Sequence, residues 1–210
     1  MATEARAFLS GIILAAGTAT RMGRPKQLLR FGDRCLLQHV IDAAAASCLD
    51  EILVILGHRA EEIRARLRFP PGRAMRIVVA ADYNQGQSAS LRAGLRAAGP
   101  QASAAAVLLA DQPGVTSQVI NRVAAAYLAA GAPVARAVYA DADGARVPGH
   151  PVFLARRIWP EVDKLPGDQG ARALISAHPE WLLEIPIEGK PPRDIDTTED
   201  YQRACASTRC

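Results

Sequence analysis

Three side chains of this 210-residue chain have the types and placement to do chemistry on a charged ligand: Arg21, Lys26 and Asp111. Arg21 and Lys26 lie in the stretch Leu14-Ala15-Ala16-Gly17-Thr18-Ala19-Thr20-Arg21-Met22-Gly23-Arg24-Pro25-Lys26. It continues an apolar run, Ile12-Ile13-Leu14, that reads as a buried first strand. Small residues let a backbone approach a ligand closely and leave amide N–H groups pointing outward. Two cations five residues apart can address different phosphates of one polyphosphate. A loop like this, at the C-terminal end of a first parallel strand, is where open α/β sheets bind nucleotides. It is neither the G-x-x-x-x-G-K-S/T phosphate loop nor the G-x-G-x-x-G dinucleotide loop.

Asp111 ends the run Leu108-Leu109-Ala110-Asp111-Gln112-Pro113. A carboxylate at the C-terminal tip of a strand can hold Mg2+, which takes oxygen ligands and bridges phosphates; alternatively it bonds the backbone of its own turn. The polar run Asp82–Arg92 follows a strand and opens a helix at Ser88. Helix N-termini bind anions, and Asn84, Ser88 and Ser90 around Gly86 can read a base or ribose, although Ser88 also reads as an ordinary N-cap. His150 stands between Gly149 and Pro151 at a strand start. Asp196 or Thr197 can cap a terminal helix, with Asp196 and Glu199 at capping-box spacing.

The elements that must position these residues alternate. Strands are expected at Phe8–Leu14, Glu51–Leu56, Met75–Ala80, Ala105–Ala110 and Pro133–Tyr139, and helices at Cys35–Ser47, Arg59–Arg68, Ser88–Ala98 and Ser117–Ala130. Such βαβα order predicts an α/β fold, a single three-layer, doubly wound, mostly parallel sheet with helices on both faces. After residue 140 the rhythm changes. Asp141-Ala142-Asp143-Gly144 reads as a hairpin turn, followed by a short strand at Gly149–Leu154. Helical stretches at Arg156–Leu165 and Ala171–Ala177 and a last strand at Trp181–Ile187 complete the chain before the terminal helix. One domain is expected, about residues 1–140 forming a nucleotide-binding half and about residues 141–210 an insertion that roofs the nucleotide site and a closing segment.

Bulk properties exclude several classes. Half of the residues are apolar, which makes the chain globular, yet no apolar run approaches the roughly 20 residues that span a bilayer. The N-terminus does not read as a secretory signal. The four cysteines form no C-x-x-C pair. Cys35 and Cys48 fit core thiols in a reducing cytoplasm. The net charge of +4 is spread along the chain with few aromatics, which fits small anionic substrates and argues against nucleic acid.

The loop at residues 14–26 resembles L-A-A/G-G-x-x-x-R-M-G-x-x-K, the signature of nucleotidyltransferases. The order continues with Asn84-Gln85-Gly86-Gln87-Ser88-Ala89-Ser90-Leu91, Asp111-Gln112-Pro113 and Gly149-His150-Pro151. Gly167-Asp168-Gln169-Gly170-Ala171-Arg172 and Asp194-Ile195-Asp196-Thr197 complete it. From Ile12 to Tyr201 the chain resembles the molybdenum cofactor cytidylyltransferases of the MobA-like NTP transferases. The resemblance implies a Rossmann-like nucleotidyltransferase fold and transfer of CMP from CTP to the phosphate of molybdopterin cofactor, with release of pyrophosphate. It implies Arg21, Lys26 and Asp111 in catalysis, and Leu14, Ala15, Ala16, Gly17, Asn84, Gly86, Ser88 and Ser90 at the nucleotide. Asp111 and Asp196 would hold Mg2+, and His150, Pro151, Asp168 and Arg172 would face the acceptor. Gly57-His58, after the second strand, would lie toward the base. Ala16 puts a methyl group where the guanylyl branch usually has glycine, which disfavours guanine. A molybdenum hydroxylase is an implied partner. Two other readings stay open: a transferase for a sugar or polyol phosphate, and a non-enzymatic accessory protein that delivers the cofactor. Intact Lys26, Arg21 and Asp111 argue against the last.

Overall fold

A computed structural model describes residues 6–17, 25–141, 143–165, 167 and 170–208. Its centre is a seven-stranded sheet, with a two-stranded hairpin beside it. In chain order the strands are β1 (Phe8–Leu14), β2 (Arg30–Phe31), β3 (Arg34–Cys35), β4 (Glu51–Leu56), β5 (Ala74–Val79) and β6 (Ala102–Leu109), then β7 (Val134–Ala140), β8 (Arg146–Ala155) and β9 (Leu182–Ile187). The helices are α1 (Leu36–Ala45), α2 (Ala60–Arg64), α3 (Gln87–Ala97), α4 (Ser117–Ala130), α5 (Trp159–Asp163), α6 (Gly170–Ala177) and α7 (Thr198–Thr208).

The sheet order is β5-β4-β1-β6-β8-β7-β9. Neighbours pair in parallel except at β8, which runs against both β6 and β7. This is the mostly parallel, doubly wound sheet expected from the alternation. The antiparallel strand follows from chemistry: Asp141 and Gly144 form a tight turn in which Asp141 accepts from the Asp143 and Ala145 amides. A chain that turns so quickly must return antiparallel.

Central strands are buried on both faces, so they read as continuous apolar runs. All six residues of β4 are buried. Side chains alternate across the sheet into two cores. Leu9, Ile13, Val54, Leu108 and Phe153 point to one face, where Val40, Ile41, Ile120 and Tyr127 of α1 and α4 cover them. Ile12, Leu53, Ile55, Val107 and Leu154 point to the other, under Leu91, Leu95, Val162 and Leu174 of α3, α5 and α6. A third, smaller cluster joins Leu29 and Leu36 to Ile195. It ties the C-terminal segment to the chain just after the first loop.

Candidate active site

β1, β4 and β6 run parallel, so their C-terminal ends share one sheet edge. Backbone bonds fix the loops that leave it: Ala15 N–H donates to Ile55 O at 2.9 Å, and Ala110 N–H to Leu14 O at 3.1 Å. The loop backbone is held further by Gln27. Its buried side-chain amide donates to Ala15 O at 2.8 Å and Gly17 O at 3.1 Å. The Ala15-Ala16-Gly17 backbone therefore stands open toward a cleft of about 530 Å3. Leu14, Lys26, Tyr83, Asn84, Gly86, Ser90, Asp111 and Asp196 also line it.

One side chain organises that cleft. Lys26 Nζ donates to Asp111 Oδ2 at 2.6 Å and to Asp196 Oδ1 at 2.8 Å. Both oxygens bond a single nitrogen, so they lie closer together than the sum of those distances. Burial opposes a charge on Lys26, but Asp111 and Asp196 outweigh it and hold the ammonium above the ordinary lysine pKa. Two residues 85 positions apart are joined because the C-terminal segment runs back over the sheet edge, where Ile195 N–H donates to Asp111 O at 3.2 Å. Gln112 fixes the same segment by donating to Asp194 Oδ1 at 2.7 Å.

Asp196 is not the helix cap. Thr197 takes that role: its Oγ1 accepts from Asp200 N–H at 3.1 Å, and Asp200 Oδ2 accepts from Thr197 N–H at 3.0 Å. The capping-box alternative for Asp196 and Glu199 is thus replaced by Thr197 and Asp200. The Asp196 side chain is left to the cleft.

Beside this cleft lies a second cavity of about 600 Å3, sharing Leu14, Gln87 and Leu109 with it. His150, Arg172, Arg136 and Asp194 are on its walls with Leu91, Val107, Val152 and Ile175. Burial and the charge of Arg136 push the His150 pKa down to about 4, so the ring is neutral near pH 7.

Five buried side-chain atoms among the described residues lack a hydrogen-bond partner: Gln27 Oε1, Asp111 Oδ1, Gln112 Oε1, Arg136 Nε and His150 Nδ1. Four belong to residues lining these two cavities, and Gln112 bonds Asp194 of the second cavity wall. Folded proteins pair nearly all buried polar groups, so orphans gathered in one place mark where a ligand completes the set.

The positions of the sequence-predicted residues divide clearly. Leu14, Ala15, Ala16, Gly17, Lys26, Asn84, Gly86, Ser90, Asp111 and Asp196 converge on the first cleft, and His150 and Arg172 on the second. Ser88 faces neither. It is fully buried and its hydroxyl bonds Gly167 O, tying α3 to the loop before α6. Pro151 is buried but alternates away from the wall formed by His150 and Val152. Arg21 and Asp168 lie outside the described residues. His58 meets the cleft only through Tyr83, ring centroids 6.3 Å apart. Sequence reasoning missed Gln27, Tyr83, Arg136 and Asp194. Asp194, inside a quoted motif, and Tyr83, inside the polar run Asp82–Arg92, carried a signal that could have found them; Gln27 and Arg136 did not.

A parallel sheet edge with an open backbone loop, a lysine and paired carboxylates defines a nucleotide-handling transferase of Rossmann-like fold. The chain belongs to the MobA-like NTP transferase domain family, which matches residues 11–181. It is 31% identical to nicotine blue oxidoreductase of Paenarthrobacter nicotinovorans over 201 residues, 93% of this chain and 95% of that one. It is 33% identical to purine catabolism protein PucB of Bacillus subtilis over 202 residues, 92% of this chain and 94% of that one. The crystal structure of Rv0371c in complex with manganese, from Mycobacterium tuberculosis, superposes with a TM-score of 0.77 at 29% identity, covering 94% of this chain and 97% of that one.

Proposed function

We propose that the protein transfers CMP from CTP to the terminal phosphate of the molybdopterin form of the molybdenum cofactor, releasing pyrophosphate. The observation that carries this reading is the convergence of Lys26, Asp111 and Asp196 at the mouth of the 14–26 loop. An acceptor phosphate is already a nucleophile at neutral pH. One of its oxygens forms a bond to the α-phosphorus of CTP, the bond from that phosphorus to the β-phosphate bridge breaks, and the electron pair leaves on pyrophosphate. The barrier lies in bringing anions together in line and in charge growing on the leaving group. Lys26 and Arg21 would offset that charge, the open 15–17 backbone would cradle phosphates, and Ala16 would narrow the base site against guanine.

The residues fit a divalent metal. Asp111 Oδ1 is buried without a partner, and the other oxygen of Asp111 shares an ammonium with Asp196. Among the described residues no three His, Cys, Asp or Glu converge on a metal position. That suits Mg2+, which often takes one or two carboxylates and completes its shell with phosphate and water. Such an ion, held by Asp111 and Asp196, would supply charge neutralisation at the phosphates. The manganese complex of the mycobacterial relative supports a divalent ion here.

The second cavity would take the acceptor, with His150, Asp168 and Arg172 as its polar contacts. The decisive experiment is pyrophosphate release from each common NTP, with and without molybdopterin cofactor. CTP with the cofactor should be turned over. Turnover only with a sugar or polyol phosphate would replace the acceptor, and preference for GTP would overturn the base assignment.

A further inference from the structure

Arg136 belongs to no motif, yet it is placed as a reader. It sits in β7 directly opposite Glu184 of β9 and Val152 of β8. Its Nη2 donates to Glu184 Oε1 at 2.5 Å, and the other oxygen of Glu184 accepts from Arg146 at 2.6 Å. This clamp holds the guanidinium by one end. The Nε–H remains buried without a partner. The β7–β8 ladder slips register between Arg136 and Val138, an irregularity of the kind that re-aims side chains beside binding sites. On the neighbouring strand His150, also on the wall of this cavity, carries a second buried orphan, Nδ1.

The chemistry of the two orphans is complementary. An arginine Nε can only donate, and a neutral imidazole nitrogen can accept when the other nitrogen carries the proton. Burial and Arg136 keep that imidazole neutral. Apolar walls at Leu91, Val107, Val152 and Ile175 flank them. Glu184 offsets only one of the two guanidinium charges it bonds, and the exposed Arg172 offers a further cation to an anionic part of the same ligand. We propose that Arg136 and His150 form the specificity reader of the acceptor site, recognising the cyclic-amide edge of a flat heterocycle: Arg136 Nε–H donates to the ring carbonyl and His150 Nδ1 accepts from the adjoining ring N–H.

This rests on the second cavity being the acceptor site, and the test separates the two. Fluorescence titration of pterin as the probe would be run on the full chain, alongside CTP titration as a control for the fold. Arg136→Met and His150→Phe should each weaken pterin binding about tenfold or more, while CTP binding stays within about twofold. Arg136→Lys keeps a cation for Glu184 but lacks the Nε fork. It should fail like Arg136→Met and covers the case in which that variant does not fold. A pteridine lacking the 4-oxo group should bind wild type as weakly as the variants bind pterin. Unchanged pterin binding by a folded Arg136→Lys overturns the reader, as does equal binding of the pteridine lacking the carbonyl or displacement of pterin by inorganic phosphate in wild type but not in Arg136→Lys. If turnover proves to need a different acceptor that carries a cyclic amide, and Arg136→Lys raises that acceptor's KM with kcat unchanged, the reader stands and only the molybdopterin assignment falls; turnover of a sugar or polyol phosphate with no change of KM in Arg136→Lys overturns both.

Discussion

At the scale of single residues, Lys26 has two partners to choose between. Its ammonium bridges the carboxylates proposed to hold a metal. A triphosphate offers it another anion, so nucleotide and metal should load together. Lys26→Met should therefore bind Mn2+ more tightly than wild type when nucleotide is absent, as followed by electron paramagnetic resonance. The same variant should slow pyrophosphate release by about 10²–10³, the cost of one lost charged contact to the transition state. Weaker Mn2+ binding by Lys26→Met would mean the lysine assists the metal rather than standing in its place. His150 supports a pH prediction. Its folded pKa, about 4, lies below the unfolded value of 6.5, so between those values the unfolded chain binds the extra proton. Stability is complete above pH 6.5 and falls as the pH drops toward 4, by up to about 3 kcal/mol. Urea midpoints measured across that window should fall less steeply for His150→Gln than for wild type.

At the scale of elements, two glycines set how closely the site is built. A Cβ on Gly94 of α3 would lie 2.6 Å from Ile12 Cγ2, a fully buried atom group of β1. Neither the strand nor the core can yield, so Gly94→Ala should cost about 1–3 kcal/mol by overpacking, read as a lower Tm. A Cβ on Gly57 would meet Tyr83 Cγ at 2.4 Å and Tyr83 Cβ at 2.6 Å. Those atoms are next to the Tyr83 backbone, so the Tyr83–Gln85 turn must move rather than the ring alone. Gly57→Ala should raise the nucleotide KM roughly tenfold while kcat changes little. Elements with long periodic patterns were legible in the sequence: β1, β4 and α4 have the bounds their apolar patterns predict. β8 was read four residues short because its pattern is broken at Pro148–Pro151; β7 pairs Arg146–Pro148 and Val152–Leu154, β6 pairs Val152–Ala155, and the β7 register shifts between these two stretches. The helix expected at Arg59–Arg68 closes after Arg64, and the two-residue strands of the Arg30–Cys35 hairpin offer too little periodicity to read. The nucleotide cleft was legible because its residues are local motifs. Arg136 was not, since a charge inside an apolar strand becomes meaningful only once its clamp and its orphaned Nε are seen together.

At the scale of the whole molecule, the cleft exists because two distant parts of the chain meet. Asp111 follows the end of β6 and would face open solvent if the C-terminal segment did not return to it. Ile195 is 1% exposed, packed with Leu29 and Leu36, and its N–H reaches Asp111 O. Gln112 bonds the neighbouring Asp194, and Tyr201 of α7 bonds Arg30 O at 2.5 Å. Ile195 thus anchors Asp196 without contacting any ligand. Ile195→Ala removes this anchor and leaves every carboxylate and cation in the chain. Truncating a buried isoleucine costs about 2–5 kcal/mol, but the loss here should be spent locally, because Leu29, Leu36 and Ile195 form a satellite cluster apart from the two cores of the sheet. The main melting transition should shift little. Amide exchange should instead rise in residues 193–208, and pyrophosphate release, measured well below the melting point, should fall in step with it. Raising the Mg2+ concentration should recover part of the turnover, since an ion bridging both aspartates would favour the closed segment by mass action. Full turnover with rapid exchange in that segment would show that Asp196 contributes nothing to the reaction, leaving Asp111 and Lys26 to hold the phosphates alone.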